Sequence, residues 1–279
     1  MTFSADPSSA DPSPADPSPT DPAAVDTAAL LDLAVRAARA AGAELLRRYG
    51  NVEGLDTKSS GTDPVSDADR AAEQILVEMI EAERPADGIL GEEGAASEST
   101  SGLIWVVDPL DGTVNYLYEL DNWSVSVAVE DAEGSVVGVV FDPTRDRLYT
   151  AVRGEGAFGD GKPLHCREAV PLNRALLSTG FGYSADRRGI QGALIAKVLP
   201  QVRDIRRIGS AALDLCAVAA GHVDIYFEEG IQRWDIAAGG LIAAEAGAVV
   251  TSHRPHDIPT GILAAAPGLH AEAAAALTV

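Results

Sequence analysis

From Asp26 onward the chain carries two successive hydrophobic rhythms. Leu30, Ala34, Ala37, Ala38, Ala41 and Leu45 recur at the helical period, which predicts a first helix capped by Asp26 and stopped by Gly50. "TDPVSDADRAAEQILVEMIEAERP" predicts a second. Ser66 or Asp67 caps it, Ala72, Ile75, Leu76, Met79 and Ile80 form its buried face, and Pro85 ends it. Asp69 then falls in its first turn, close to a surface and outside the core. "LIWVV" (103–107) reads as a short central strand that ends where Pro109 restricts Asp108. "SVSVAVE", "SVVGVVFD" and "RLYTAVR", punctuated by "DAEG" and "PTRD", predict an antiparallel meander.

Past residue 174 strand-like and helix-like segments alternate. "ALLSTG", "DIRRIG", "HVDIYFE", "AVVTS" and "ILAAA" read as strands. Residues 187–199, 210–220 and 234–246 read as helices, the second opened by Gly-Ser and the third closed by Gly247. An α+β half (26–170) followed by an α/β half (171–279) predicts layered sheets and helices. Residues 4–22 repeat Asp-Pro every five positions without a large apolar side chain. Residues 1–25 are therefore expected to be a disordered tail, with a docking motif as the alternative.

Composition changes this picture little and charge changes it more. The 279 residues are 46% hydrophobic and 23% charged, ordinary for a globular protein with a sizeable core. A formal net charge of −21 argues against non-specific binding to nucleic acid or an anionic membrane. It also means that an anionic substrate must find local positive charge. Cys166 and Cys216 show no metal-ligand or redox spacing and read as two buried free thiols, as expected in a cytoplasmic protein. No apolar run is long enough to span a bilayer, and the first basic residue is Arg36, unlike a secretory signal.

The candidate chemistry is acidic. "WVVDPLDGTVNY" ends an apolar run with Asp108 and Asp111, three apart. Taken alone this is a turn sequence. An EF-hand loop is excluded because Leu110 occupies a ligand position and Gly112 stands at five instead of six. "ILGEEG" places Glu92 and Glu93 at the end of another apolar stretch, and "RWDIAAGGLIAAEAG" places Asp235 at a helix start. Singly these acids read as surface groups or a cap; together they mark the boundary positions where layered folds bind ligands.

"GEEG", "WVVDPLDGTVNY" and "WDIAAGGLIAAEAG", in this order, closely resemble the inositol monophosphatase family of magnesium-dependent phosphatases, its bacterial members above all. "DPVSDAD" and "RRIGSAALDLCAVAAGHVDIYFE" extend the resemblance to residues 27–279. It implies alternating α-β-α-β-α layers in the sugar-phosphatase (fructose-1,6-bisphosphatase-like) fold. It implies that Glu92, Asp108, Asp111, Asp235 and the Leu110 carbonyl hold metal. Asp69 and Glu93 would support the metals or a looser further ion, and Thr113 with Asp69 would orient an attacking water. Gly112 and Thr113 would offer backbone donors to phosphate, and Gly209, Ser210, Ala211 and Glu228 would hold the organic part of the substrate. Val114 and Gly94 depart from common family residues without removing a ligand.

On this resemblance the expected reaction is hydrolysis of myo-inositol 1-phosphate or a related polyol monophosphate by a metal-activated water, without a phosphoenzyme. Fructose 1,6-bisphosphate, histidinol phosphate or a 3′-phosphonucleotide are alternative substrates, and a regulatory binding protein of the same fold is the alternative of a different class. Two or three Mg²⁺ ions, with Mn²⁺ as substitute, fit a ligand set of hard oxygens better than Zn²⁺. Two carboxylates about 4 Å apart repel by roughly 4 kcal/mol at an effective dielectric near 20, so converging acids call for cations or protons. Lithium inhibition and a homodimer are implied as well. Arg206 and Arg207 are expected to make structural or subunit-interface pairs with nearby acids rather than a phosphate clamp, and His253 and His256 to belong to a polar loop.

Overall fold

The computed structural model describes residues 25–51, 54, 56–57, 64–256 and 258–278; the Asp-Pro repeat lies outside them. Asp26 caps α1 (Thr27–Arg48) by accepting from the Ala29 amide at 3.0 Å, and the whole expected apolar face is buried. A two-residue ladder, β1 (Asp56–Thr57) with β2 (Pro64–Val65), leads into α2 (Asp67–Glu83). Ser66 caps α2 through a capping box closed by Asp69. Ala72, Leu76 and Ile80 are buried, and Ile75 and Met79 half-buried at the rim of that face.

An eight-stranded sheet follows: β3 (Gly88–Gly91), β4 (Ala96–Ser97), β5 (Ile104–Asp111), β6 (Ser124–Asp131), β7 (Gly134–Asp142), β8 (Arg147–Val152), β9 (Gly156–Gly159) and β10 (Lys162–Pro163), with the short helix α3 (Thr113–Leu117) after β5. Its order is β10-β9-β8-β7-β6-β5-β3-β4, antiparallel except for the β3–β5 pair. The second half supplies β11 (Leu176–Thr179), α4 (Ala185–Val198), β12 (Asp204–Arg206), α5 (Ala211–Ala219), β13 (Ile225–Glu229), α6 (Arg233–Glu245), β14 (Val249–Ser252), β15 (Gly261–Ala265) and α7 (Pro267–Ala276). Its sheet runs β12-β11-β13-β15-β14, parallel over the first three strands and antiparallel over the last two.

Four buried clusters separate five layers. Trp105, Val107, Val127 and Val139 face α1 and α2, while Val106, Ala128 and Val140, one residue out of phase, face α5 and α6. Leu215 and Ala243 on the other side of α5 and α6 meet Tyr226 and Ala264, and Leu177, Ile225 and Leu263 meet α4 and α7. The α-β-α-β-α stack follows from that double-sided burial of both sheets. Close approach is enforced at Gly138 of β7, where an added Cβ would lie 2.8 Å from the Ala238 carbonyl oxygen of α6. No helix among the described residues is long and apolar enough to cross a membrane. Cys216 is buried and Cys166 half-buried, both free thiols, and burial raises the pKa of each.

Two expectations need correction. β5 does not end at Asp108: it continues through Pro109 to Asp111, with Asp108 opposite Ser126 and Asp111 opposite Ser124. Proline has no amide donor for the ladder, and the register shift between the two aspartates loops one residue out of it. Strict alternation would send residues three apart to opposite faces; the bulge returns Asp111 to the face of Asp108. Asp69, expected near the surface, is 1% exposed. Its carboxylate accepts from the Ser66 amide (2.9 Å) and hydroxyl (2.6 Å) and from Thr113 Oγ1 (3.2 Å), which compensates its burial.

Candidate active site

The bulged end of β5, the start of α5 and the first turn of α6 converge on a cavity of about 540 Å³. Asp108 is buried there with Oδ1 accepting from the Leu110 amide at 3.0 Å. Burial, then the charges of Glu92, Asp111 and Asp235, push its carboxyl well above the usual range. Asp111 is gripped by α5, accepting from Ser210 Oγ (2.6 Å) and from the amides of Ala211 (3.2 Å) and Ala212 (2.7 Å). Burial raises its carboxyl, these bonds oppose the rise, Glu92 adds to it, and the result is about 6. Asp235 closes a capping box at α6, accepting from the Gln232 amide, and burial with the charges of Glu92 and Asp111 raises it strongly too.

Asp108, Asp111 and Asp235 offer one oxygen each within 4.8 Å of one another, and Glu92 lines the same cavity. Carboxylates this close, each held in its charged geometry by amide donors, suit a hard divalent cation, and the three side chains offer oxygen alone. Thr113 Oγ1 lies 3.2 Å from Asp69 Oδ1 and 3.1 Å from the Leu110 carbonyl oxygen, so its single proton has two acceptors.

The match to the inositol monophosphatase family extends over residues 26–279, nearly the whole chain. The chain belongs to the inositol monophosphatase family. Inositol-1-monophosphatase SuhB of Mycobacterium tuberculosis (strain H37Rv) is 44% identical over 263 residues, covering 88% of this chain and 91% of that protein. A relative from Escherichia coli K12, the Nus factor SuhB, is 40% identical over 225 residues, covering 80% of this chain and 84% of its own. The crystal structure of the suppressor protein SuhB from Bartonella henselae superposes with a TM-score of 0.83 at 36% identity, covering 89% of this chain and 98% of that one.

Within this inositol monophosphatase fold most of the expected residues line the cavity: Glu92, Asp108, Leu110, Asp111, Gly112, Thr113, Gly209, Ala211, Glu228 and Asp235. Three do not. Asp69 stands behind Thr113, and Glu93 points its amide at Glu73 Oε2 (2.8 Å) without joining the wall. Ser210 is 1% exposed and its hydroxyl serves Asp111, Ser124 (3.2 Å) and the Leu213 amide (3.2 Å), so it braces a carboxylate instead of touching the cavity. Gly112 also answers to the packing around it. With φ +102 its position for a Cβ lies 2.9 Å from the Asn122 carbonyl oxygen and 3.2 Å from that of Gly209, so backbone packing alone requires glycine.

Sequence reasoning missed Glu73, Asn115, Tyr183 and Arg187, and expected Arg207 in a structural pair and not at the cavity. Buried Glu73 accepts from the Glu93 and Ala95 amides and so fixes the loop bearing Glu92; an acid one helical turn after Asp69, on a face otherwise apolar, was the readable signal. Asn115 Nδ2 donates to the carbonyls of Asn122 (2.6 Å) and Ile208 (2.9 Å), pinning the Gly209 loop to the β5 turn. Tyr183, Arg187 and Arg207 form the far wall, which no short-range pattern announces. Arg206 pairs with Asp204 at 2.7 Å as expected, whereas Arg207 faces the cavity and its charge opposes the rise that burial imposes on Glu228, left at about 7. His256 Nδ1 lies 2.7 Å from Glu229 Oε2 and His253 Nε2 3.0 Å from the Leu277 carbonyl oxygen, anchoring contacts and not a metal site.

Proposed function

We propose that this chain hydrolyses phosphate monoesters of polyols, myo-inositol 1-phosphate first among them, with divalent metal held by Glu92, Asp108, Asp111, Asp235 and the Leu110 carbonyl. The observation that carries the reading is the meeting of three carboxylates within 4.8 Å, from two halves of the chain, beside the Thr113–Asp69 pair. When bound, Mg²⁺ (two or three ions, or Mn²⁺) supplies charge neutralisation at the phosphoryl oxygens and acidifies water. The residues do the rest. Thr113 Oγ1 orients the attacking water and passes a proton toward Asp69 Oδ1, whose other oxygen is fixed by Ser66. Gly112 and the opening of α3 supply amides without partners inside the helix to a phosphate in the cavity. Glu228, with Tyr226 donating its hydroxyl to it at 2.9 Å, accepts from ring hydroxyls, while Gly209 and Ala211 shape the wall. Glu93 acts at one remove, through the loop it shares with Glu92.

Phosphate release from inositol, fructose, histidinol and nucleotide phosphates, with and without Mg²⁺, tests this. Asp108→Asn is expected to lower kcat by at least about a hundredfold while thermal melting shows a folded protein; near-normal turnover in that variant refutes the metal role. The second reading, a regulatory binding protein, draws on the Escherichia coli relative named as a Nus factor. Absence of phosphate release from every substrate with Mg²⁺ present favours it. We propose a homodimer and lithium inhibition as well, expected from the family resemblance and read by light scattering and by a lithium titration of activity.

A further inference from the structure

A second cleft, of about 280 Å³, opens at the other edge of the five-stranded sheet, where β11 and β13 begin. Its lining is Arg167, Val170, Arg174, Leu176, Arg203 and Asp224. On a chain of net charge −21, three arginines against one aspartate make a local positive island. Asp224 is 6% exposed, with Oδ2 accepting from the Leu176 amide at 2.7 Å. Its other oxygen, Oδ1, is buried without a hydrogen-bond donor among the described residues; Arg167 Nε forms an ion pair with it at 3.6 Å, beyond hydrogen-bond reach. The guanidinium groups of Arg174 and Arg203 have no acid partner among the described residues.

This combination selects a particular ligand chemistry. A plain anion would satisfy the arginines and repel Asp224; a cation would do the reverse. A protonated oxyanion satisfies both, since it offers acceptor oxygens to guanidinium groups and one O–H to the waiting carboxylate oxygen. Inorganic phosphate keeps a P–OH at neutral pH, whereas sulfate keeps none. We propose that the cleft of Arg167, Arg174, Arg203 and Asp224 is a binding site for hydrogen phosphate, separate from the acidic cavity. Asp224 and Glu228 are four residues apart on one extended segment, which puts the two sites roughly 13 Å from each other along the sheet. The site does not depend on the phosphatase reading, although phosphate is that reaction's product.

Calorimetric titration of the full chain, dialysed against a chelator at neutral pH, tests the proposal with inorganic phosphate and sulfate as probes. One saturable phosphate site is expected, with sulfate weaker by about tenfold or more, the size of one charge-assisted hydrogen bond. Arg174→Ala combined with Arg203→Ala should weaken phosphate by at least about tenfold. Asp224→Asn should remove the preference, because the Leu176 amide keeps the Asn oxygen and turns its NH₂, a donor, toward the cleft. Asp108→Asn, in the acidic cavity, should leave the phosphate heat unchanged. Equal affinity for the two anions, absence of saturable phosphate binding, or binding lost in Asp108→Asn and retained in the double arginine variant overturns the proposal. If Asp224→Asn fails to fold, the anion preference of the wild type and the arginine variants still decide.

Discussion

Asp87 shows how much one buried acid can organise. Its carboxylate accepts from Arg84 Nε (2.8 Å), Ser101 Oγ (2.6 Å) and the indole of Trp105 (2.9 Å), a ring with no exposure at all. Burial pushes the carboxyl up, and these donors more than reverse that, leaving it below the ordinary range. A lowered folded pKa contributes stability that is complete above the unfolded value, near 3.9, and lost as pH falls through the folded one. Asp87→Ala is therefore expected to cost about 2–3 kcal/mol in urea unfolding at neutral pH, chiefly by stranding the indole N–H. The variant should also lose less stability on acidification than the wild type does. None of this was legible in the sequence, because the donors come from 3 to 18 residues away.

Elements were easier to read than the contacts between them. The caps at Asp26 and Ser66 and the meander of β6, β7 and β8 follow from local chemistry and period, and the structure agrees. The bulge in β5 does not, because a proline in an apolar run says that pairing is disturbed and not that the strand continues. Ten of the 22 residues of the cavity wall were legible through the motifs and the resemblance they carry, while Tyr183, Arg187 and Arg207 reach it only through the stacking of layers. That stacking is testable at Gly138, the point where α6 rests on β7. Gly138→Val should drive α6 outward, costing about 1–3 kcal/mol in thermal unfolding. Because α6 carries Asp235, the same variant should raise the Mg²⁺ concentration needed for half-maximal turnover; an unchanged metal requirement would show that the site tolerates the shift.

Across the whole molecule the acidic excess and the layered stack meet at one cavity. In chelated protein Asp111, raised to about 6 by burial and by Glu92, works against folding once ionised. Stability is then complete below the unfolded carboxyl pKa, near 3.9, and declines as pH rises to about 6. Differential scanning calorimetry with EDTA should show this decline, and Mg²⁺ at a hundred times its Kd should add about 2.7 kcal/mol at neutral pH. Equal melting with and without the ion would argue that the three carboxylates bind nothing.

The hold of α5 on Asp111 reaches further than the position of one side chain. In the proposed metal site the same two oxygens would answer to an amide-lined helix mouth on one side and to an ion on the other. On that proposal, a guest that tugs on the Gly209–Ala211 segment would alter how well the ion is gripped, and the ion would alter the welcome given to the guest by the same factor. Occupancy of either place would then be information for the other, carried through a single aspartate.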